Sequence, residues 1–423
     1  MNNESLSTMA LEKGKGVLKL APTWVPRSFC RPGKRIKLHP DDYYKLGLKR
    51  GGIDERWFSS TTQADNGPGT PDDEGLSYVV VDVENKPQMV LLRDVIECMK
   101  SEVVGEQIWD EYAAWPMFSK FFDNAGPLPL HIHHMDRQAA RVGMAGKPEM
   151  YFFPSQLNNH GGEFPFTFFG LNPGTTKEEV RQSLAAFTQG DNQILGLSRS
   201  YKLMLDTGWD VPPGVLHAPG SLCTYEPQFA SDVFAMYQSV LYNGQCVGEE
   251  LLWKNCPEEE LGNFDYLVEM IDWDLNTDPE FYEHRFMPPK PVQPFEETTN
   301  DGFTEEWICY RNPLTSAKRL TVLPGSRVKI HDGAPYGMIC IQGHGKFGGY
   351  ELGSPAIIRY GQLTNDEFFV TEKAAKEGVV IQNDSAYEEI VILKHFALNP
   401  DLPISKPRRL ATKRKPGKRA GNA

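Results

Sequence analysis

Short apolar stretches separated by turn residues run along most of the chain, the pattern of many short strands rather than long helices. Strands are predicted at 78–83, 88–92, 128–134, 149–153, 202–205, 222–226 and 233–240. Residues 24–77 are rich in Gly, Pro and Asp, as in Asn66-Gly67-Pro68-Gly69-Thr70-Pro71, and read as turns between short strands. Helical spacing intervenes in three places. Leu92, Val95, Ile96 and Met99 predict a helix over 91–100. Thr176-Lys177-Glu178-Glu179 has a capping-box pattern and leads into Val180, Leu184 and Phe187. Pro257-Glu258-Glu259-Glu260 opens a helical stretch that runs through Leu267 and Ile271.

Met287-Pro288-Pro289-Lys290-Pro291-Val292-Gln293-Pro294 is the best linker in the sequence. Short strands resume after it, at 320–330, 337–342, 354–360, 378–381 and 389–396. Two strand-rich regions about a linker predict tandem β domains. The expected division is a polar N-terminal tail (1–23), a first domain with helical insertions (24–286), a linker (287–302), a second domain (303–398) and a basic, disordered tail (399–423).

Composition narrows the function classes. At 423 residues the chain has room for two domains plus tails. No apolar run reaches the roughly 20 residues needed to span a bilayer, and the first residues lack the apolar core of a secretory signal. Seven cysteines, odd in number and without CxxC spacing, point to reduced thiols in a cytoplasm. The net charge is −12. Lys406, Arg408, Arg409, Lys413, Arg414, Lys415, Lys418 and Arg419 supply eight positives. Without them 36 basic residues face 56 acidic ones, a net of −20. The body is therefore not a nucleic-acid-binding surface by charge. The tail is either a solvated terminus or a contact for nucleic acid or acidic partners.

The chemistry concentrates at His131-Ile132-His133-His134. In a strand, side chains two apart share a face, so His131 and His133 can converge on one point. Two such imidazoles suit a transition metal: Zn, Mn, Fe or Ni. Glu149 in Gly146-Lys147-Pro148-Glu149-Met150 and His217 after the Pro212-Pro213-Gly214 turn complete a candidate set of three histidines and one carboxylate. The bland reading of HxHH is a hydrogen-bonded or solvent-facing histidine patch.

Several segments, in order, then carry a resemblance. They are Ile53-Asp54-Glu55-Arg56-Trp57-Phe58-Ser59, residues 118–133, Lys147-Pro148-Glu149-Met150, Gly174-Thr175-Thr176-Lys177-Glu178-Glu179, residues 211–220, and Glu226-Pro227-Gln228-Phe229-Ala230-Ser231-Asp232. Over about residues 50–240 the chain resembles the class I mannose-6-phosphate isomerases of the cupin superfamily. The resemblance implies a mainly β fold of tandem cupin (jelly-roll β-sandwich) domains with helices inserted around the first. It implies one divalent metal, Zn first, held by His131, His133, Glu149 and His217. It implies aldose–ketose isomerisation of a small-molecule sugar or sugar phosphate. Lys147 and Glu226 become the candidate catalytic groups, and Asp232 and His134 the candidate substrate contacts. Each has a structural alternative as a surface or hydrogen-bonding residue.

Two departures stand out. His131 occupies a position that is usually glutamine in that family, and Met236 falls where the family has an active-site arginine. Methionine cannot supply a bidentate, permanently charged clamp. The second domain lacks the motif, with His331 and His344 standing alone, and is expected to be metal-free. Two alternatives stay open: another metallo-cupin enzyme such as an Fe(II) oxygenase, and a non-catalytic sugar-binding cupin.

Overall fold

The computed structural model describes residues 1–158 and 164–399. The fold is mainly β and antiparallel, in four principal sheets. Alternation along the strands explains how they layer. In Glu149–Phe152, Met150 and Phe152 join one apolar cluster while Tyr151 joins another. Phe121 and Phe122 divide in the same way. The strands are thus apolar on both faces, and each face needs a sheet to cover it.

The first barrel has a seven-stranded sheet in the order Phe286–Met287, Gly208–Val211, Glu149–Phe152, Thr224–Phe229, Met117–Phe122, Gly52–Phe58 and Thr23–Arg27. On its inner side lies a five-stranded sheet: Ser198–Lys202, Phe166–Leu171, His217–Ala218, His131–Ile132 and Ala235–Met236. Phe122, Tyr151, Phe169, Trp209 and Val211 pack between the two. The second barrel repeats the plan. Its seven-stranded sheet includes Thr315–Val322, Tyr336–Gln342, Glu367–Val370 and Ile390–Ala397, and its four-stranded sheet includes Arg327–Ile330 and Val379–Gln382. Leu320, Val322, Met338 and Ile392 meet Val328, Ile330, Val379 and Ile381 between these layers.

The two seven-stranded sheets pack back to back. Ile53, Phe58, Phe121, Met150, Phe152 and Tyr225 of one meet Ile308, Ala317, Ile339, Ile341, Val391 and Leu393 of the other. Polar ties cross this layer. Arg56 donates to Asp366 at 2.8 and 2.9 Å. The Nδ1 of His395 lies 2.8 Å from Ser119 Oγ and 3.0 Å from Tyr225 OH.

Three expectations need correction. Residues 1–23 are not a tail. Asn2 caps a helix, Asn3–Gly14, whose Leu6 and Ala10 are buried against Leu18, Leu20 and Val79. Val17–Lys19 then forms an edge strand of the second barrel, with Val17 opposite Val370. The segment 287–302 is partly structured: Lys290–Pro291 pairs with Trp307 and Glu306, and Phe295–Thr298 is a helical turn. Proline is tolerated there because the strand is at the sheet edge. The stretch 354–360 is irregular, with only Ile358 bridging to Leu38. The basic stretch from residue 400 onward lies outside the described residues.

The helix predicted over 91–100 is present as Leu92–Met99. The capping box is also present. Thr176 Oγ1 accepts from Glu179 N–H at 3.2 Å, and Glu179 Oε2 accepts from Thr176 N–H at 2.7 Å. Thr176→Ala should lower unfolding free energy by about 1 kcal/mol, read as a shift of the urea midpoint at unchanged slope.

Candidate metal centre

The space between the seven- and five-stranded sheets of the first barrel holds the candidate site. His217 sits directly opposite His131 in adjacent strands, and Gly214 N–H donates to His133 O at 2.9 Å, tying the turn before His217 to the histidine segment. The three rings gather closely: 4.1 Å between the centroids of His131 and His217, 5.0 Å for His133 and His217, and 5.2 Å for His131 and His133. One ligand-capable atom from each lies within 4.8 Å of the others.

The opposite nitrogens explain which atoms face inward. Each Nδ1–H donates to a backbone carbonyl: His131 to Pro129 at 2.8 Å, His133 to Val233 at 2.8 Å and His217 to Val215 at 2.9 Å. These bonds fix the tautomer and leave three Nε2 lone pairs for the centre. Burial, then the neighbouring His217 and His133, pushes the His131 pKa well down. Burial also lowers His133 to about 4. Both stay neutral at pH 7, the state in which imidazole binds metal.

Glu149 completes the set. Its Oε2 lies 3.0 Å from His133 Nε2 and its Oε1 3.2 Å from His217 Nε2. Burial alone would raise this carboxyl, but His133 and Lys147 overcome that and hold it well below the ordinary range. His217 Nε2 and Glu149 Oε2 are fully buried with no well-formed hydrogen bond. Unsatisfied buried polar atoms are costly, and a cation among three imidazoles and a carboxylate would satisfy both. The donor set therefore fits a Zn-type divalent ion.

A line of alternating buried charges runs from the centre. Lys147 Nζ is 3.1 Å from Glu149 and 3.6 Å from Glu226. Lys120 bridges Glu226 at 3.3 Å and Glu55 at 3.2 Å. Arg27 bridges Glu55 and Asp232, both at 3.2 Å. Burial and Glu149 raise the Glu226 pKa to about 8 against the pull of the two lysines.

The structure thus brings together six of the eight sequence candidates: His131, His133, Glu149, His217, Lys147 and Glu226. Asp232 lies at the far end of the charge line, gripped by Arg27 and by the Asp65 N–H at 2.8 Å. His134 stands outside the ligand group, fully buried beside the Asn255 backbone, and burial lowers its pKa to about 3.

Sequence reasoning missed Tyr151, Lys120, Glu55 and Arg27. The Tyr151 hydroxyl donates to Glu149 Oε1 at 2.6 Å. Its signal was available, since Tyr151 is two residues after Glu149 in the same strand and so shares its face. Tyr151→Phe should weaken metal binding by roughly 10–100-fold, as loss of a hydrogen bond that orients a ligand does. Competition with a chromogenic chelator would measure it.

No protein-family model matches the sequence, and no curated protein matches it. Solved structures do match in fold. A mannose 6-phosphate isomerase from Bacillus subtilis superposes with a TM-score of 0.58 at 15% identity, over 90% of this chain and 99% of that one. The fold is that of the mannose-6-phosphate isomerases. A zinc-bound mannose 6-phosphate isomerase gives 0.57 at 12% identity, over 90% of this chain and all of the other. A histidine-to-alanine variant of phosphomannose isomerase from Salmonella typhimurium gives 0.58 at 12%, with the same coverage.

Proposed function

We propose that this protein is a metal-dependent aldose–ketose isomerase acting on a sugar or sugar phosphate. The observation that carries the reading is the convergence of three tautomer-fixed histidines and Glu149, with Lys147 and Glu226 alongside, in a fold shared with known isomerases of this type. His131, His133, Glu149 and His217 are the proposed ligands, with zinc the preferred ion and Mn, Fe and Ni chemically compatible.

When bound, a divalent ion supplies Lewis acidity that polarises a substrate carbonyl and offsets negative charge developing on oxygen. The chain's own residues move the proton. As a carboxylate, Glu226 takes the hydrogen from the carbon beside the carbonyl and returns it to the neighbouring carbon. With its pKa raised to about 8, the acid is the major form at neutral pH and the carboxylate grows as pH rises through that value. Lys147, between Glu149 and Glu226, offsets charge on the carboxylates and offers N–H to a substrate oxygen. The C–H proton passes to the former carbonyl carbon and the hydroxyl proton to the former carbonyl oxygen, so one carbon is oxidised as its neighbour is reduced and no external oxidant is needed.

Buried polar groups between two sheets exclude bulk water and strengthen these interactions. The seven thiols, all unpaired, support the cytoplasm as the compartment. No helix among the described residues is long and apolar enough to cross a membrane. The test is solvent-deuterium incorporation at the carbon next to the carbonyl, followed by proton NMR across a panel of aldoses and ketoses with zinc-loaded protein. If no member exchanges or interconverts, the isomerase reading fails.

A further inference from the structure

We propose that the substrate of this site is an uncharged sugar rather than a phosphate ester. The proposal rests on the isomerase reading and narrows it. It follows from how the buried cations are already engaged. Lys147 sits between Glu149 and Glu226, Lys120 between Glu226 and Glu55, and Arg27 between Glu55 and Asp232. Every one of these side chains is at least nine-tenths buried. Four acidic side chains alternate with three cations, so the line ends in an acid on both sides.

A phosphate dianion entering here would need one of those cations. Taking it would leave a carboxylate buried without its partner, and breaking a buried pair in that way is strongly unfavourable. The nearby cations offer no substitute. Lys254 is paired with Asp65 at 2.9 Å and Arg35 with Asp123 at 2.7 Å. Met236, opposite His131 in the adjoining strand, is buried in an apolar cluster with Leu130, Ile132 and Phe234. Each cation on the buried line is thus already held by a carboxyl group on either side, and Met236 adds no charge opposite His131.

Hydroxyl groups place no such demand. Each both donates and accepts, so a polyol can give hydrogen bonds to Glu226 or Glu55 and take them from Lys147 or Lys120 without unpairing either. The long-range field points the same way. The chain carries 44 basic against 56 acidic residues, a net of −12, and that balance repels anions during encounter.

Binding of non-isomerisable analogues tests the proposal separately from turnover. The full chain, loaded with Mn(II), is titrated with D-mannitol, with D-sorbitol, with their 6-phosphates and with inorganic phosphate. Paramagnetic broadening of the carbon-bound protons reports occupancy beside the metal. The expected result is that a hexitol binds at least about tenfold more tightly than its phosphate ester at low ionic strength, and that millimolar inorganic phosphate does not displace it. Tighter binding of an ester, or displacement by phosphate, overturns this proposal and leaves the isomerase reading standing. If neither hexitols nor esters approach the metal, both fall together.

Discussion

Replacing His217 with alanine is expected to strip the bound metal and with it the activity. His217 is fully buried, sits opposite His131 in the sheet, and has its Nδ1 committed to the Val215 carbonyl. Its Nε2 is therefore available only to the centre. Removing a ligand should weaken metal binding by more than the roughly 10–100-fold that losing a ligand's hydrogen-bond partner costs. Elemental analysis after exhaustive dialysis should find well under one equivalent of metal. Circular dichroism should show the sheets intact, because the surrounding cluster of Tyr151, Phe169, Trp209 and Val211 is untouched. A variant that still held one equivalent would remove His217 from the ligand set.

Glu226→Gln should separate chemistry from metal binding. Glu226 does not stand in the ligand group, yet its carboxyl lies between Lys147 and Lys120. Glutamine keeps the shape but cannot take a proton. Turnover on a responsive sugar should fall about 10²–10⁴-fold, the contribution typical of a positioned acid–base group, while metal content stays at the wild-type level. The pH dependence should change as well. Burial and Glu149 raise the Glu226 pKa to about 8, so the carboxylate form, and with it the rate, should grow as pH rises through that value. The rising limb should be absent from the variant's residual rate. Unchanged turnover would shift the proton-transfer role to another residue.

The centre was legible in the sequence to the extent that it is local. His131 and His133 share a face because they are two apart in extended chain, and the turn at Pro212-Pro213-Gly214 announces the delivery of His217. The same period-two reasoning reaches Tyr151 from Glu149. It does not reach Lys120, Glu55 and Arg27. These meet Glu226 and Asp232 because the strands carrying them, Met117–Phe122, Gly52–Phe58 and Thr23–Arg27, lie side by side beyond Thr224–Phe229. Glu226 faces Lys120 across two strands over a hundred residues apart in sequence, a pairing that sheet order sets and no local pattern encodes. Asp232 was legible as an acid near the site but not as the partner of Arg27. The N-terminal segment was misread for a related reason. Leu6 and Ala10 give its helix a narrow apolar stripe, and Val17–Lys19 is too short to show alternation, so long-range packing decides both.

That short strand has a consequence for how the molecule is made. Val17–Lys19 emerges from the ribosome long before its partner, Glu367–Val370. The second barrel's sheet cannot be completed until Glu367–Val370 has been made, and Val17–Lys19 lacks that partner in the meantime. An open edge is a template for pairing with other chains. The interlock runs one way: the first barrel draws both its sheets from residues 23–287, whereas the second, released on its own, would lack Val17–Lys19 at one edge.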